Sequence, residues 1–156
     1  MIIPEEILTH CDTLFLDRDG VVNVWLPDDY VKSWEEFRFN EGFLDFISRY
    51  SGSFRHIIIV TNQRGVGKGL MTPGQLEEIH SRMLECIAAA GGRIDRIYVC
   101  TSTDDSDSMR KPNCGMALQA MRDFPEIRME RSLMIGDQPS DRLFALNCGM
   151  RFLLWE

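Results

Sequence analysis

The sequence predicts an α/β fold built on a doubly wound, mostly parallel sheet, and three observations carry that expectation. Short apolar runs of strand composition alternate with segments whose apolar residues recur at helical spacing. Each of the main runs stops abruptly in polar or charged residues, as strands do where a parallel sheet opens into loops. No repeat, low-complexity stretch or linker divides the 156 residues, so residues 1–156 are expected to form one domain. A chain of this length buries roughly 68–70% of its unfolded surface and needs no covalent staple.

In order, residues 1–10 read as a short helical or irregular lead-in. Leu14-Phe15-Leu16 has the composition of a buried strand and runs straight into Asp17-Arg18-Asp19-Gly20. In extended backbone Asp17 and Asp19 would point to the same side, about 7 Å apart. Residues 21–40 mix Trp25, Trp34, Phe37 and Phe39 with turn formers and suit a flap beside the strand end. Phe43, Leu44, Phe46 and Ile47 repeat at helical spacing across 41–50. Ile57-Ile58-Ile59-Val60 is β-branched throughout and delivers Thr61-Asn62-Gln63. Thr72-Pro73-Gly74-Gln75 opens a helix that runs to Ala90 before Gly91-Gly92. A third strand is expected over 94–100 and a polar loop over 101–113, followed by a helix over 114–124. The fourth strand, 132–135, ends in Gly136-Asp137. Pro139 opens a helix that Gly149 closes, and residues 151–155 supply the last strand. Strands alternating with helices require crossover connections, hence parallel pairing with both faces covered.

Composition removes several function classes. The chain is 44% hydrophobic and 26% charged, with no apolar run near the ~20 residues of a membrane span. The opening Met1-Ile2-Ile3-Pro4-Glu5-Glu6 lacks a signal peptide's basic region and long apolar stretch, so the cytoplasm is the expected compartment and no membrane partner is expected. Five cysteines, at 11, 86, 100, 114 and 148, form no C-x-x-C pair and are odd in number. They are expected to be reduced and mostly buried. A formal charge of −7 disfavours nucleic acid and other polyanions, so any phosphate must be held by local donors or a metal.

Four strand ends and loops offer chemistry to one crevice. They carry Asp17 and Asp19, then Thr61 and Asn62, then Lys111, and last Asp137 with Asp141. Phosphoryl transfer needs a nucleophile, a proton donor for the leaving oxygen, a cation to absorb charge, and small donors around the equatorial oxygens. Oxygen ligands from Asp17, the Asp19 carbonyl and Asp137 suit Mg²⁺, and Lys111 is the natural counter-charge.

The four segments LFLDRDGVV, VTNQ, RKP and IGDQPSD resemble, in that order, the motifs of the haloacid dehalogenase superfamily, over nearly the whole chain. More narrowly, LDRDGVVN, TNQRGVGKG and RKPNCGM resemble its capless phosphatases, the group that includes heptose bisphosphate and histidinol-phosphate phosphatases. The resemblance implies a Rossmann-like haloacid dehalogenase fold with minimal or no cap. It implies Asp17 as nucleophile and Asp19 as general acid and then base, with Thr61 and Asn62 holding the phosphoryl group. Lys111 would neutralise charge, Arg110 would recognise substrate beside Gln63, Arg64 and Gln138, and Asp137 would complete the Mg²⁺ site with Asp17 and Asp19. Asp141 would support these from behind.

One segment departs from that pattern. The family's third-strand loop usually carries zinc ligands written C-x-H and then C-x-C before R-K-P. Here the corresponding residues are Cys100, Ser102, Asp107 and Met109, so no structural zinc is expected. The acidic run 103–107 lacks EF-hand spacing. Gly65 to Gly69 is no nucleotide loop, because Asn62 and Gly69 stand where that motif needs glycine and Ser or Thr. His10, His56 and His80 are scattered and are expected to have no metal or relay role. The sequence leaves Trp25 and Trp34 as either mouth lining or flap anchors. The expectation is therefore a monomeric, Mg²⁺-dependent phosphomonoesterase acting on a small phosphorylated metabolite, foremost a sugar phosphate such as heptose 1,7-bisphosphate, with residues 21–40 and 101–113 walling the crevice. Histidinol phosphate and a polynucleotide 3′-phosphate are alternative substrates, and a non-catalytic phosphate-binding module is the alternative from another class.

Overall fold

The computed structural model describes residues 1–156. Five strands, β1 (Thr13–Leu16), β2 (His56–Asn62), β3 (Arg96–Cys100), β4 (Ser132–Gly136) and β5 (Arg151–Leu154), form one sheet in the order β3-β2-β1-β4-β5. Every pairing is parallel. The order reverses direction at β1, which leaves a crevice at its C-terminal end. Leu16 is level with Ile59 on one side and Ile135 on the other. Asp17, Thr61, Asn62 and Asp137 therefore all arrive at the same edge within two residues of register.

Alternation along the strands splits the core in two. Leu14, Leu16, Ile57, Ile59, Leu133 and Ile135 face α2 (Phe43–Tyr50) and α4 (Pro73–Ala89), which contribute Phe43, Ile47, Ile79 and Met83. Phe15, Ile58, Val60 and Met134 face α5 (Gly115–Asp123) and α6 (Pro139–Cys148), where Met116, Ala120, Phe144 and Ala145 meet them. Burial of each large aliphatic side chain contributes roughly 1.5–3 kcal/mol, so the paired cores fix the sheet as a rigid base. A capping box starts α4, with Thr72 Oγ1 accepting from the Gln75 N–H at 3.1 Å and Gln75 Oε1 accepting from the Thr72 N–H at 2.8 Å. Gly149 ends α6 at φ +82°, a left-handed stop. A short lead-in helix, α1 (Glu5–His10), precedes β1, and a four-residue helix, α3 (Arg64–Gly67), follows β2. No helix is long and apolar enough to cross a membrane.

Several boundaries differ from expectation, each for a local reason. β1 ends at Leu16, and the Asp17–Asp19 stretch is no longer extended, because the Arg18 carbonyl accepts from the N–H groups of Val21, Val22 and Asn23 and turns the chain. β2 continues through Thr61 and Asn62, since β3 pairs with both. β3 begins at Arg96 rather than residue 94: the Asp95 carboxylate takes the Ile57 N–H and leads the chain into the ladder. Only Cys11 and Cys100 are buried. The other three cysteines are partly exposed, so the expectation of mostly buried thiols does not hold, although all five are free thiols. Trp34 stacks on Phe37 at 5.1 Å and anchors the flap, whereas Trp25 is half-exposed and faces the crevice.

Candidate active site

A cleft of about 250 Å³ opens at the C-terminal edge of β1. Asp17, Asp19, Asn62, Arg110, Lys111 and Gln138 line it, together with Asp141 and Ser140. Trp25, Leu26, Asp29, Tyr30 and Val31 form the opposite wall. Segment 21–40 thus supplies most of a wall, while the 101–113 loop contributes only Arg110 and Lys111.

At the floor, the Lys111 ammonium donates to Asp17 Oδ1 at 2.8 Å and to Asp141 Oδ1 at 2.7 Å, with all three side chains almost wholly buried. Asn62 sets the lysine's position. Its Oδ1 accepts from the Lys111 N–H at 3.0 Å and its Nδ2 donates to the Lys111 carbonyl at 3.2 Å. Asp141 lies in the first turn of α6, where its Oδ2 accepts from the N–H groups of Asp137 and Gln138 at 3.2 Å each. Burial opposes the charge on Lys111, but its two flanking carboxylates outweigh it and hold the ammonium above its ordinary range. Burial and Asp141 push the Asp17 carboxyl upward against the pull of Lys111.

Asp19 is held differently. Its Oδ1 accepts from the Arg18 guanidinium and from Asn23 Nδ2, each at 2.8 Å, and its Oδ2 accepts from Gln63 Nε2 at 2.8 Å. Burial opposes its ionisation, yet Arg18, Asn23 and Gln63 together hold the carboxyl below its usual range. Arg18 is fully buried and donates to His80 Nε2 at 3.1 Å, which requires the neutral ring with its proton on Nδ1. Burial and the neighbouring guanidinium lower His80 to about 3. His80 therefore packs directly behind the site, although nothing in its scattered sequence position signals that. Asn23 and Arg18 are further residues the sequence reading did not single out, and the signal available was their place inside the D-R-D-G-V-V-N run.

The remaining expected residues lie around this floor. Thr61 is buried, and its Oγ1 accepts from Gln63 Nε2 at 2.9 Å. Gln63 is also buried, with its amide turned onto Asp19 rather than into the cleft. Arg64 stands at the rim on Asp105, which also pairs with Arg110 at 3.3 Å. Asp137 reaches the floor beside Asp17 and Asp141, and the three offer carboxylate oxygens within 4.8 Å of one another. Its Oδ2 accepts from Gln138 Nε2 at 3.0 Å, while its buried Oδ1 has no hydrogen-bond partner. Burial raises the Asp137 carboxyl. Gly20 lets the two strand ends meet: at φ +95° it takes a conformation that side chains resist, and a Cβ there would lie 1.9 Å from Asp137 Oδ2. Both Asp19 carboxylate oxygens lie outside this three-carboxylate group. In the 101–109 loop the Ser102 and Asp107 side chains accept from the N–H groups of Asp104 and Met109.

The polynucleotide kinase 3 phosphatase family model matches residues 13–156, all but the lead-in. The chain belongs to this family of haloacid dehalogenase-like phosphatases. It is 36% identical over 135 residues to D-glycero-alpha-D-manno-heptose-1,7-bisphosphate 7-phosphatase of Mycobacterium bovis, covering 86% of this chain and 71% of that one. The corresponding beta-anomer phosphatase of Helicobacter pylori is 32% identical over 147 residues, covering 93% and 83%. Among solved structures, the D,D-heptose 1,7-bisphosphate phosphatase from B. bronchiseptica, complexed with magnesium and phosphate, superposes with a TM-score of 0.85 at 33% identity. That match covers 92% of this chain and 79% of the other.

Proposed function

We propose that the protein is a Mg²⁺-dependent phosphomonoesterase for a small phosphorylated sugar, with a heptose 1,7-bisphosphate of the kind named for its relatives as the leading substrate. The observation that carries this reading is the buried Lys111 ammonium clamped on Asp17 at the floor of an open cleft, beside a cluster of carboxylates that one lysine does not neutralise. That cluster fits a hard divalent cation: three carboxylates converge, and Asp137 Oδ1 is buried with nothing to bond. Asp17, Asp137 and the Asp19 main-chain oxygen would hold the ion, which supplies positive charge against the phosphoryl oxygens.

In this reading an Asp17 oxygen attacks phosphorus. The bond from phosphorus to the leaving oxygen breaks, and Asp19 gives that oxygen a proton. Water then attacks the aspartyl-phosphate, Asp19 takes its proton, and phosphate leaves with Asp17 restored. Asp19 is held in its ionised form by Arg18, Asn23 and Gln63, and a dianionic phosphoryl group beside it favours uptake of the proton it must donate. Gln63, Asn23 and Arg18 orient it. Thr61, Asn62 and Lys111 form the phosphoryl cradle, while Gln138 and Arg110, with Arg64 beyond it, face the rest of the substrate.

The matched family's own description favours a second reading, a polynucleotide 3′-phosphate. The net charge of −7 and an acidic cleft wall at Asp29 weigh against it. The reading further takes residues 1–156 as one domain, because both cores share one sheet. It takes the protein as a cytoplasmic monomer, in keeping with five unpaired cysteines. Phosphate release with Mg²⁺ should be measured across sugar phosphates, histidinol phosphate and a 3′-phosphorylated oligonucleotide, with Asp17→Asn alongside. Release from a sugar bisphosphate that Asp17→Asn abolishes without unfolding is the expected result. Binding without release from any compound would leave only a phosphate-binding module.

A further inference from the structure

Above the catalytic floor, the rim carries a charged group to which no role has yet been given. Asp105 sits in the acidic loop that follows β3, with its side chain 83% exposed. Its Oδ1 alone contacts two guanidiniums, that of Arg64 and, at 3.3 Å, that of Arg110. Both arginines are mostly buried along their stems, at 24% and 19% side-chain exposure. Each also keeps a buried N–H without a partner, Nε on Arg64 and one terminal nitrogen on Arg110. Arg110 immediately precedes Lys111 and lines the same cleft as Asp17. Two well-fixed cations thus share one loosely fixed anion, and one of them, Arg110, borders the cleft that Asp17 lines.

We propose that Asp105 is a specificity-determining residue. Its carboxylate is an internal counter-ion that occupies the Arg64–Arg110 pair and competes with a second anionic group carried by the substrate. This inference rests on the phosphomonoesterase reading above. The physical case lies in the contrast of mobility. The guanidiniums are held by burial, whereas an exposed carboxylate bonded through one oxygen costs little to displace. An incoming phosphate offers several oxygens to the same fork-shaped guanidiniums that Asp105 contacts through one. A substrate with one phosphate and a neutral remainder has nothing to place there and leaves Asp105 where it is. Asp105 therefore sets the margin by which this enzyme prefers two-anion over one-anion substrates, and it narrows that margin.

The test is Asp105→Asn, which keeps the side chain's size and removes its charge. Steady-state kinetics should be compared for a sugar bisphosphate and for p-nitrophenyl phosphate. KM for the bisphosphate is expected to fall about two- to fivefold with kcat unchanged, and both constants for p-nitrophenyl phosphate should stay within error. The gain should shrink as salt rises to ~1 M, where the screening length falls to about 3 Å. Binding measured by calorimetry separates this inference from the functional reading. Hexane-1,6-diphosphonate should bind the variant more tightly than wild type, and methylphosphonate should bind both alike, whether or not any ester is hydrolysed. If activity is absent but the diphosphonate gain is present, the phosphatase reading fails and the counter-ion role stands. An unchanged diphosphonate affinity, an equal gain for methylphosphonate, or a weaker diphosphonate affinity would overturn the role, the last by showing that Asp105 orients the arginines instead.

Discussion

Two three-charge clusters, one on the cleft floor and one carried by the loops at its Arg110 edge, are each the inverse of the other. On the floor a single ammonium, Lys111, lies between two carboxylates, Asp17 and Asp141, at 2.8 and 2.7 Å. At the rim a single carboxylate, Asp105, lies between two guanidiniums, Arg64 and Arg110. The difference between them is solvent. Side-chain exposures on the floor are 3%, 10% and 1%, so its charges interact across a low dielectric and none can be removed without stranding another. The exposed rim carboxylate is hydrated and screened, and its pairs contribute little to stability. Equal arithmetic of charge thus gives a fixed chemical floor and an adjustable entrance.

The sharpest way to break this contrast is to remove the floor's cation. Lys111→Met leaves Asp17 and Asp141 facing each other in a buried site, and a stability loss of about 3–5 kcal/mol at pH 7 is expected from urea unfolding. Because the fault is an uncompensated pair of negative charges, acidification should recover part of the loss as one carboxylate takes a proton. A variant as stable as wild type at pH 7 would mean that the floor behaves like the rim.

Gly20→Ala probes the same floor through the backbone. The added Cβ meets Asp137 Oδ2 at 1.9 Å and sits at φ +95°, so the strand ends must separate. A loss of about 1–3 kcal/mol is expected, together with a clear rise in the Mg²⁺ concentration needed for half-maximal phosphate release. Retained Mg²⁺ dependence in a destabilised variant would separate the glycine's structural role from its role in placing Asp137.

His80 supplies an intermediate case, a buried group touching the site only through Arg18. Its neutral form is the one the fold accepts, with a folded value of about 3 against an ordinary 6.5. The unfolded chain binds the extra proton first, so the stability that His80 contributes is complete above pH 6.5 and is lost as pH falls from there toward 3. Glutamine cannot titrate, and His80→Gln should therefore flatten the fall of stability between pH 6.5 and 4. Parallel profiles for the two proteins would show that His80 takes up its proton in the folded protein as readily as in the unfolded chain.

The smallest expected effect lies at the rim. Asp105→Asn should leave the urea midpoint at its wild-type value even while it alters affinity for two-anion ligands. A marked drop in midpoint would place Asp105 with the structural charges.

Much of this architecture was readable from local pattern. The alternation of β-branched runs with helical spacing, the Thr72–Gln75 start of α4 and the Gly149 stop depend on near-neighbour sterics and hydrogen bonds, which a linear sequence states directly. The D-R-D-G segment singles out Asp17 and Asp19 at a strand end, and the loop after the third strand offers Lys111 as the counter-charge that phosphoryl transfer needs. What tertiary structure alone decided is how each group is held. Gln63 follows two phosphate-cradle candidates in the chain, but the bend after β2 turns its amide onto Asp19. Arg18 lies between two aspartates, yet it is buried completely and meets His80, 62 residues away. Asp105 and Arg64 are 41 residues apart and meet only because the loops after β2 and β3 leave neighbouring strands. Local geometry fixes elements over a few residues, whereas the partners of a charge are chosen by the packing that excludes water from it, and that packing is set by the whole sheet at once.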